Sequence, residues 1–284
     1  MAQVLAVPGD VRHGFAYKAT FDHEFGRITG IAVTTMGNSL LCDYDNKCLI
    51  LIDPLGKYVK KISVESAPFD VAITSQNIGY VTLPNMSSLI QIDPDRLVVL
   101  HKVTINENFA TISCVSAVPN SGREKGLFYL GVKTCDVLYT YPIEKNNLWL
   151  PIKNITGHGY PICHSVVKFH AFDNNTFISC IGGQNYINIS KCTTPGLLCT
   201  EQIVDIETMV LPTDICSDDY GHVYVSGQGS NNIHRLTKDG KVIDIPLDSR
   251  HGITQPVALC FNKNHDKFYI VNQWGKSVLV FDVI

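Results

Sequence analysis

The residues best suited to chemistry in this 284-residue chain sit in one stretch, GHGYPICHSVVKFH, which spaces His158, His164 and His170 six residues apart. Three imidazoles form the donor set of a catalytic zinc site, and converging carboxylates and amides that of a calcium site. In an extended strand, a spacing of six keeps the side chains on one face. It also spreads them over roughly 40 Å, at about 3.3 Å per residue. The three cannot share an ion unless the chain turns sharply. The sequence contains no CxxC, GxSxG, HExxH or P-loop pattern, so the common nucleophile, zinc and phosphate signatures are missing. No catalytic residue, metal or cofactor is assigned, and the chain is expected not to be an enzyme.

What must position any site is a core of ordinary size. Apolar residues make up 45% of the chain, and 23 basic against 26 acidic residues give a net charge of −3. That charge offers no general attraction for a phosphate backbone, and DNA is not expected as a partner. No apolar run reaches the roughly 18 residues of a membrane-spanning helix, and the start, MAQVLAVPGDVRHGF, lacks the basic n-region of a secretory signal. Most of the ten cysteines lie in strand-like runs, as at Cys42, Cys48, Cys114, Cys180, Cys216 and Cys260, where they read as small buried hydrophobes. Cys192 and Cys199 flank a TTPGLL turn and could face each other across a hairpin, bridged or as free thiols. Four Asn-x-Ser/Thr sequons occur where about two are expected by chance, which does not establish secretion. The expected location is cytoplasmic.

The elements repeat. A short β run recurs as SLLCD (39–43), GYVTL (79–83), LFYLG (127–131), TFISC (176–180), HVYVS (222–226) and KFYIV (267–271). Each is followed by a polar turn and a second alternating run, as in CLILID, SLIQID and SVLVFD. A further turn and strand follow, as in DPLGK with YVKKI. Each unit opens with an apolar strand: ITGIAVT, PFDVAIT, ISCVSAV, HSVVKFH, PTDICSD and QPVALCF. These runs are rich in Val, Ile, Tyr and Phe and bounded by Gly, Pro, Asn and Asp, as strands are. Four strands in each of six units of about 40 residues predict an all-β six-bladed β-propeller. The chain ends on SVLVFDVI, only the third strand of the last unit. The segment AYKATFDHEF (16–25) is expected to complete that blade and close the ring. This divides the chain into an N-terminal tail, 1–14, and a propeller, 15–284.

The units resemble NHL repeats. The residues that carry the likeness are Gly30-Ile31-Ala32-Val33, Asp43, Asn46, Lys47 and Gly56 in the first unit. In the fifth they are Asp214-Ile215, Gly221, Tyr224-Val225, Asn231-Asn232-Ile233 and Asp239-Gly240, and in the sixth Pro256-Val257-Ala258, Tyr269-Ile270 and Asn272. Units three and four depart from the pattern, with longer loops. The chain is most similar to the C-terminal NHL domains of tripartite-motif (TRIM) proteins, many of which are ubiquitin ligases. The resemblance implies a binding platform, with ligase chemistry located elsewhere in a longer protein.

In that family the partner face carries the links between blades and the turns between second and third strands. Here those loops hold five basic residues (Arg27, Lys47, Lys133, Arg250, Lys276) against eight acidic ones. A protein or peptide partner is therefore favoured over structured RNA, which needs phosphates neutralised. Aromatic and amide side chains are the better anchors. The candidate partner-binding set is Arg27, Lys47, Phe69, Lys133, Tyr160, Tyr186, Gln228, Asn231, Arg250, His251, Gln273 and Trp274. Two alternatives stand beside the protein-binding platform: an RNA stem-loop-binding NHL domain, and a metal-dependent lactonase- or lyase-type propeller. For the second, His158 and His251 fall on corresponding inter-blade links near the channel mouth.

Overall fold

The second and third strands of each unit read as nearly unbroken apolar runs because a blade is covered on both faces. The structure, a computed structural model, describes residues 13–104, 110–118, 128–134, 137–143, 160–164, 166–173, 175–191 and 200–284. Strand β1 (Phe15–Phe21) precedes the first unit. The first sheet is β2 (Ile28–Val33), β3 (Ser39–Asp43), β4 (Cys48–Ile52) and β5 (Tyr58–Ser63). The second is β6 (Val71–Ile73), β7 (Gly79–Leu83), β8 (Ser88–Asp93) and β9 (Val98–Thr104). The third is β10 (Ala110–Ala117), β11 (Phe128–Thr134), β12 (Val137–Ile143) and β13 (Tyr160–His164). The fourth is β14 (Val166–Ala171), β15 (Thr176–Ile181), β16 (Tyr186–Lys191) and β17 (Thr200–Asp205). The fifth is β18 (Pro212–Ser217), β19 (Val223–Gly227), β20 (Asn232–Leu236) and β21 (Val242–Leu247). The last joins β22 (Ala258–Phe261), β23 (Lys267–Asn272) and β24 (Ser277–Val283) to β1.

Packing runs between neighbouring sheets, with alternate residues of one strand serving opposite interfaces. In β3, Leu41 packs toward Tyr269, Val271 and Val280 of the last sheet. Its neighbours Leu40 and Cys42 pack toward Val81, Ile90 and Ile92 of the second. The same exchange links the fourth sheet to the fifth and the fifth to the last. The outermost strands, such as β5 and β9, are mostly exposed. The chain folds as an all-β propeller. The sequence leads one to expect six blades; the described residues show five in full. The third sheet pairs as four strands, but the side chains of β12 and β13 lie outside the described residues.

The ring is closed by β1, which runs antiparallel to β24 from Phe15 opposite Val283 to Phe21 opposite Val278. Gly14 and Ile284 exchange backbone hydrogen bonds of 2.8 and 3.0 Å. Phe15 packs 5.2 Å from the Phe268 ring and edge-on to Tyr224 at 5.9 Å. Arg235 Nη1 donates to the His13 carbonyl at 2.7 Å. His13 and Gly14, assigned to the tail by sequence, thus belong to the clasp. Phe21 enters the core between first and last sheets, against the turn glycine Gly56. That residue has φ +85°, and a Cβ there would lie 2.4 Å from the Phe21 ring, so only glycine suits both the turn and the contact.

We expect Phe21→Ala to cost about 3–5 kcal/mol in urea unfolding. Deleting residues 1–21 should abolish the cooperative thermal transition seen by circular dichroism; a truncated chain melting at the parent temperature would show that the ring closes without β1.

Candidate functional site

The innermost strands carry one equivalent position in each sheet, occupied by Gly30, Asp70, Cys114, Lys168, Asp214 and Ala258. Ladder pairing shifts beside this position in β2, β10, β14 and β18. A bulge of that kind re-aims a side chain and frees a backbone N–H, here toward the channel. Lys168 uses the space: its Nζ donates to the Thr29 carbonyl at 2.8 Å and meets Asp70 Oδ1 at 3.2 Å and Asp214 Oδ2 at 3.3 Å. Three acceptors match the three protons of an ammonium. The carboxylates are held in turn. Asp70 Oδ2 accepts from Val115 N at 3.0 Å, and Asp214 Oδ2 from Leu259 N at 2.9 Å. Each aspartate thus ties its own sheet to the next. Burial pulls the Lys168 pKa down, but Asp214 and Asp70 outweigh it and leave the ammonium above the ordinary lysine value. Burial pushes Asp214 up to about 6, partly opposed by Lys168.

This plug divides the channel. Below it lies a cavity of about 200 Å³ lined by Ser116, His170, Cys216, Ser217 and His265 among others. His170 Nε2 lies 2.9 Å from Ser217 Oγ, and burial lowers His170 to about 4. So weak a base activates a serine little at neutral pH. Of the expected histidine set, His158 and the side chain of His164 lie outside the described residues. Among the described residues no group of three or more His, Cys, Asp or Glu is arranged to hold a metal ion.

Above the plug opens a larger cavity of about 490 Å³. Its loops are tied down by polar residues at the ends of second strands. Asp43 accepts from Gly26 N at 2.9 Å, Asn46 N at 3.1 Å and Asn46 Nδ2 at 2.9 Å. Asn272 accepts from Thr254 N at 2.8 Å and donates to the Gly252 carbonyl at 3.0 Å. Next to Asn272, Gln273, Trp274 and Gly275 take φ values of +52°, +57° and +91°. A Cβ on Gly275 would come within 2.6 Å of the Ile28 carbonyl. For a non-glycine residue the left-handed conformation is strained by roughly 1–3 kcal/mol. Hydrogen bonds from Gln273 N to Thr254 O (2.7 Å) and Trp274 N to Gln255 O (3.1 Å) hold it. The result keeps Trp274 on the cavity lip, 48% exposed.

Of the candidate set, Arg27, Phe69, Gln228 and Trp274 line this cavity together. Arg27 lies over the Tyr44 ring, 4.5 Å from its centroid. Lys47, Tyr186, Asn231, Arg250, His251 and Gln273 are not among its lining residues. Lys47 is exposed in its turn, and Tyr186 packs against the core between third and fourth sheets. Asn231 accepts from Gln255 N at 2.8 Å, and Gln273 accepts from Ser277 Oγ at 3.2 Å. Arg250 and His251 both fold back onto Asp248, at 2.6 and 3.0 Å. The side chains of Lys133 and Tyr160 lie outside the described residues, as do Cys192 and Cys199. Sequence reasoning missed Tyr44 and Lys168. For Lys168 the signal was a lone cation in the apolar strand VVKFHA.

No protein-family model matches the chain, and no curated protein matches it. Solved structures do. A luciferin-regenerating enzyme superposes with a TM-score of 0.67 at 10% identity, over 93% of this chain and 94% of that one. A streptogramin B lyase gives 0.62 at 11%, over 95% and 98%. Virginiamycin B lyase from Staphylococcus aureus gives 0.61 at 11%, over 96% and 100%. At such identities the likeness is one of fold.

Lys168→Met should cost about 3–5 kcal/mol, because it leaves two carboxylates buried without their cation. Adding Asp70→Asn and Asp214→Asn should recover much of that in urea unfolding. Equal stability of the single and triple variants would remove the ion cluster's role. The pH dependence has two opposed parts. Asp214, raised, contributes stability that is full below about 3.8 and lost as pH climbs through about 6. His170 and His234, both lowered to about 4 by burial, contribute stability that is full above about 6.5 and lost as pH falls toward 4. His170→Gln should therefore flatten the loss of stability between pH 6.5 and 4; an unchanged slope would count against a buried neutral imidazole.

Proposed function

We propose that this propeller is a partner-recognition platform that binds a protein segment in the cavity above the Lys168 plug. The observation that carries the reading is convergence. Loops of separate sheets bring Arg27, Tyr44, Phe69, Gln228 and Trp274 to one cavity, and local backbone strain holds the tryptophan at its lip. Strain of this kind persists where the surroundings impose it, and clusters at ligand sites. Aromatic residues beside a well-formed pocket are the usual anchors of peptide recognition.

The finer reading is an NHL-type propeller of six blades, with β10–β13 as the third, serving as the substrate-recognition part of a TRIM-like ubiquitin ligase. The Asp43–Asn46 tie between an inter-blade link and its turn supports it, since those are the residues on which the resemblance rests. Among the described residues six cysteines are free, five buried and one half-buried, which agrees with a reducing, cytoplasmic setting. The solved structures of similar fold include enzymes, but the neutral, weakly basic His170 gives the lower cavity little to do chemistry with. Structured RNA is disfavoured by the excess of acidic residues over basic ones in the partner-face loops.

Selection of a displayed random-peptide library on the protein tests this. Recovered peptides should bind Trp274→Ala at least tenfold more weakly than the parent, as for an interface hot spot. Failure to enrich any sequence, or equal binding to the variant, would sink the platform reading. Retention of an RNA stem-loop with a steep salt slope would replace it with the nucleic-acid alternative.

A further inference from the structure

We infer that the upper cavity selects an acidic peptide: an aromatic or aliphatic side chain seated against Trp274 and Phe69, with a neighbouring carboxylate on Arg27. This rests on the platform reading and names the class of ligand for that same cavity. Among the described residues, the charged ones lining it are Arg27 and Lys168, both cations, although the loops around it carry more acids than bases. The lining and the rim thus differ in sign.

The two cations are not equivalent. Lys168 has its three protons committed to Asp70, Asp214 and the Thr29 carbonyl, so it closes the floor without offering itself to a ligand. Arg27 is differently placed. Its guanidinium carbon lies 4.5 Å from the Tyr44 ring centroid, with the side chain 36% exposed. Its Nε is buried and makes no hydrogen bond; Asp45 Oδ1 stands 3.5 Å away as an ion pair only, out of hydrogen-bond alignment. The Nε is closed to a ligand, but the terminal Nη1–Nη2 edge of a guanidinium also matches a carboxylate in two-pronged geometry. The cation–π contact with Tyr44 restrains the guanidinium before a ligand arrives. Apolar groups form most of the remaining wall, including Phe69, Pro84, Val167, Val257 and Trp274. A ligand must therefore present one anionic group and one apolar group side by side. A peptide pairing an acidic residue with an aromatic one does so.

The test uses three blocked tetrapeptides, Ac-Gly-Phe-Glu-Gly-NH2 and its Gln and Lys counterparts. Binding is read from the Trp274 indole NMR signal, assigned with Trp274→Phe. The Glu peptide should shift that signal and bind at least tenfold more tightly than the Gln peptide, with the Lys peptide weaker still. Arg27→Gln, at unchanged melting temperature, should abolish the preference for Glu over Gln, and Arg27→Lys should retain part of it. Equal shifts from the Glu and Gln peptides would overturn the acidic selection and leave the platform reading standing. Absence of any shift from all three would overturn both. A free acid, 3-phenylpropionate, binding more tightly than the Glu peptide would assign the site to a small molecule instead. A uridine hexanucleotide outcompeting the peptide would assign it to RNA.

Discussion

The ammonium of Lys168 sits where inner strands from the first, second, fourth and fifth sheets converge, and its three protons are taken by groups from three of them. A propeller's blades otherwise meet through non-directional apolar contacts, which tolerate sliding and rotation. A buried cation with fixed acceptors does not. Such a cluster is weak evidence of added stability, because taking the charges out of water offsets most of their attraction. What it supplies is registry: only one arrangement of the sheets around the channel satisfies every member. The two aspartates extend that registry by accepting the Val115 and Leu259 amides of the sheets that follow them.

The same cluster defines what the channel can be. It blocks passage between the two faces and leaves an upper cavity walled by aromatic and apolar groups and a smaller lower one that is more polar. Closure of the ring acts at the periphery to the same end. Strand β1 holds the last sheet to the start of the chain, and Arg235 joins that clasp to the fifth sheet through the His13 carbonyl. The charge cluster lies on the innermost strands and the clasp on an outermost one, yet both act against relative motion of sheets. A cavity assembled from loops of different sheets keeps its shape only if the sheets stay in register.

Much of the fold was legible because its signal is local and repeated. The runs SLLCD, GYVTL and KFYIV are β3, β7 and most of β23, and the missing last strand pointed to residues near the N-terminus, where β1 lies. The channel cluster was not legible in the same way. Asp70, Lys168 and Asp214 are separated by 98 and 46 positions, and they become equivalent only when the inner strands are aligned on their bulges. Loop residues were legible by type and not by direction. Trp274 stood out because a tryptophan in an NQWGK turn has no turn-forming reason to be there. Arg250 and His251 carried the same kind of promise, but Asp248, two and three residues earlier, captures both. Side-chain capture by a near neighbour depends on φ and ψ of a short turn, which composition does not reveal.

The contrast between Arg250 and Arg27 shows what separates a surface charge from a recognition element. Both lie in links that lead into an innermost strand, and both have an aspartate nearby. Arg250 is held by Asp248 at 2.6 Å, with its side chain 82% exposed, a pairing worth little in water and screened by salt. Arg27 faces Asp45 at 3.5 Å without a hydrogen bond, and its Nε is out of contact with solvent. Asp248 thus takes up the fork of Arg250 through several hydrogen bonds, whereas Asp45 does not hold that of Arg27. An anion approaching Arg250 must displace its aspartate; one approaching the terminal nitrogens of Arg27 need not. The capacity to select a ligand therefore resides in the arginine the fold leaves uncommitted, next to the tryptophan that the fold strains into place.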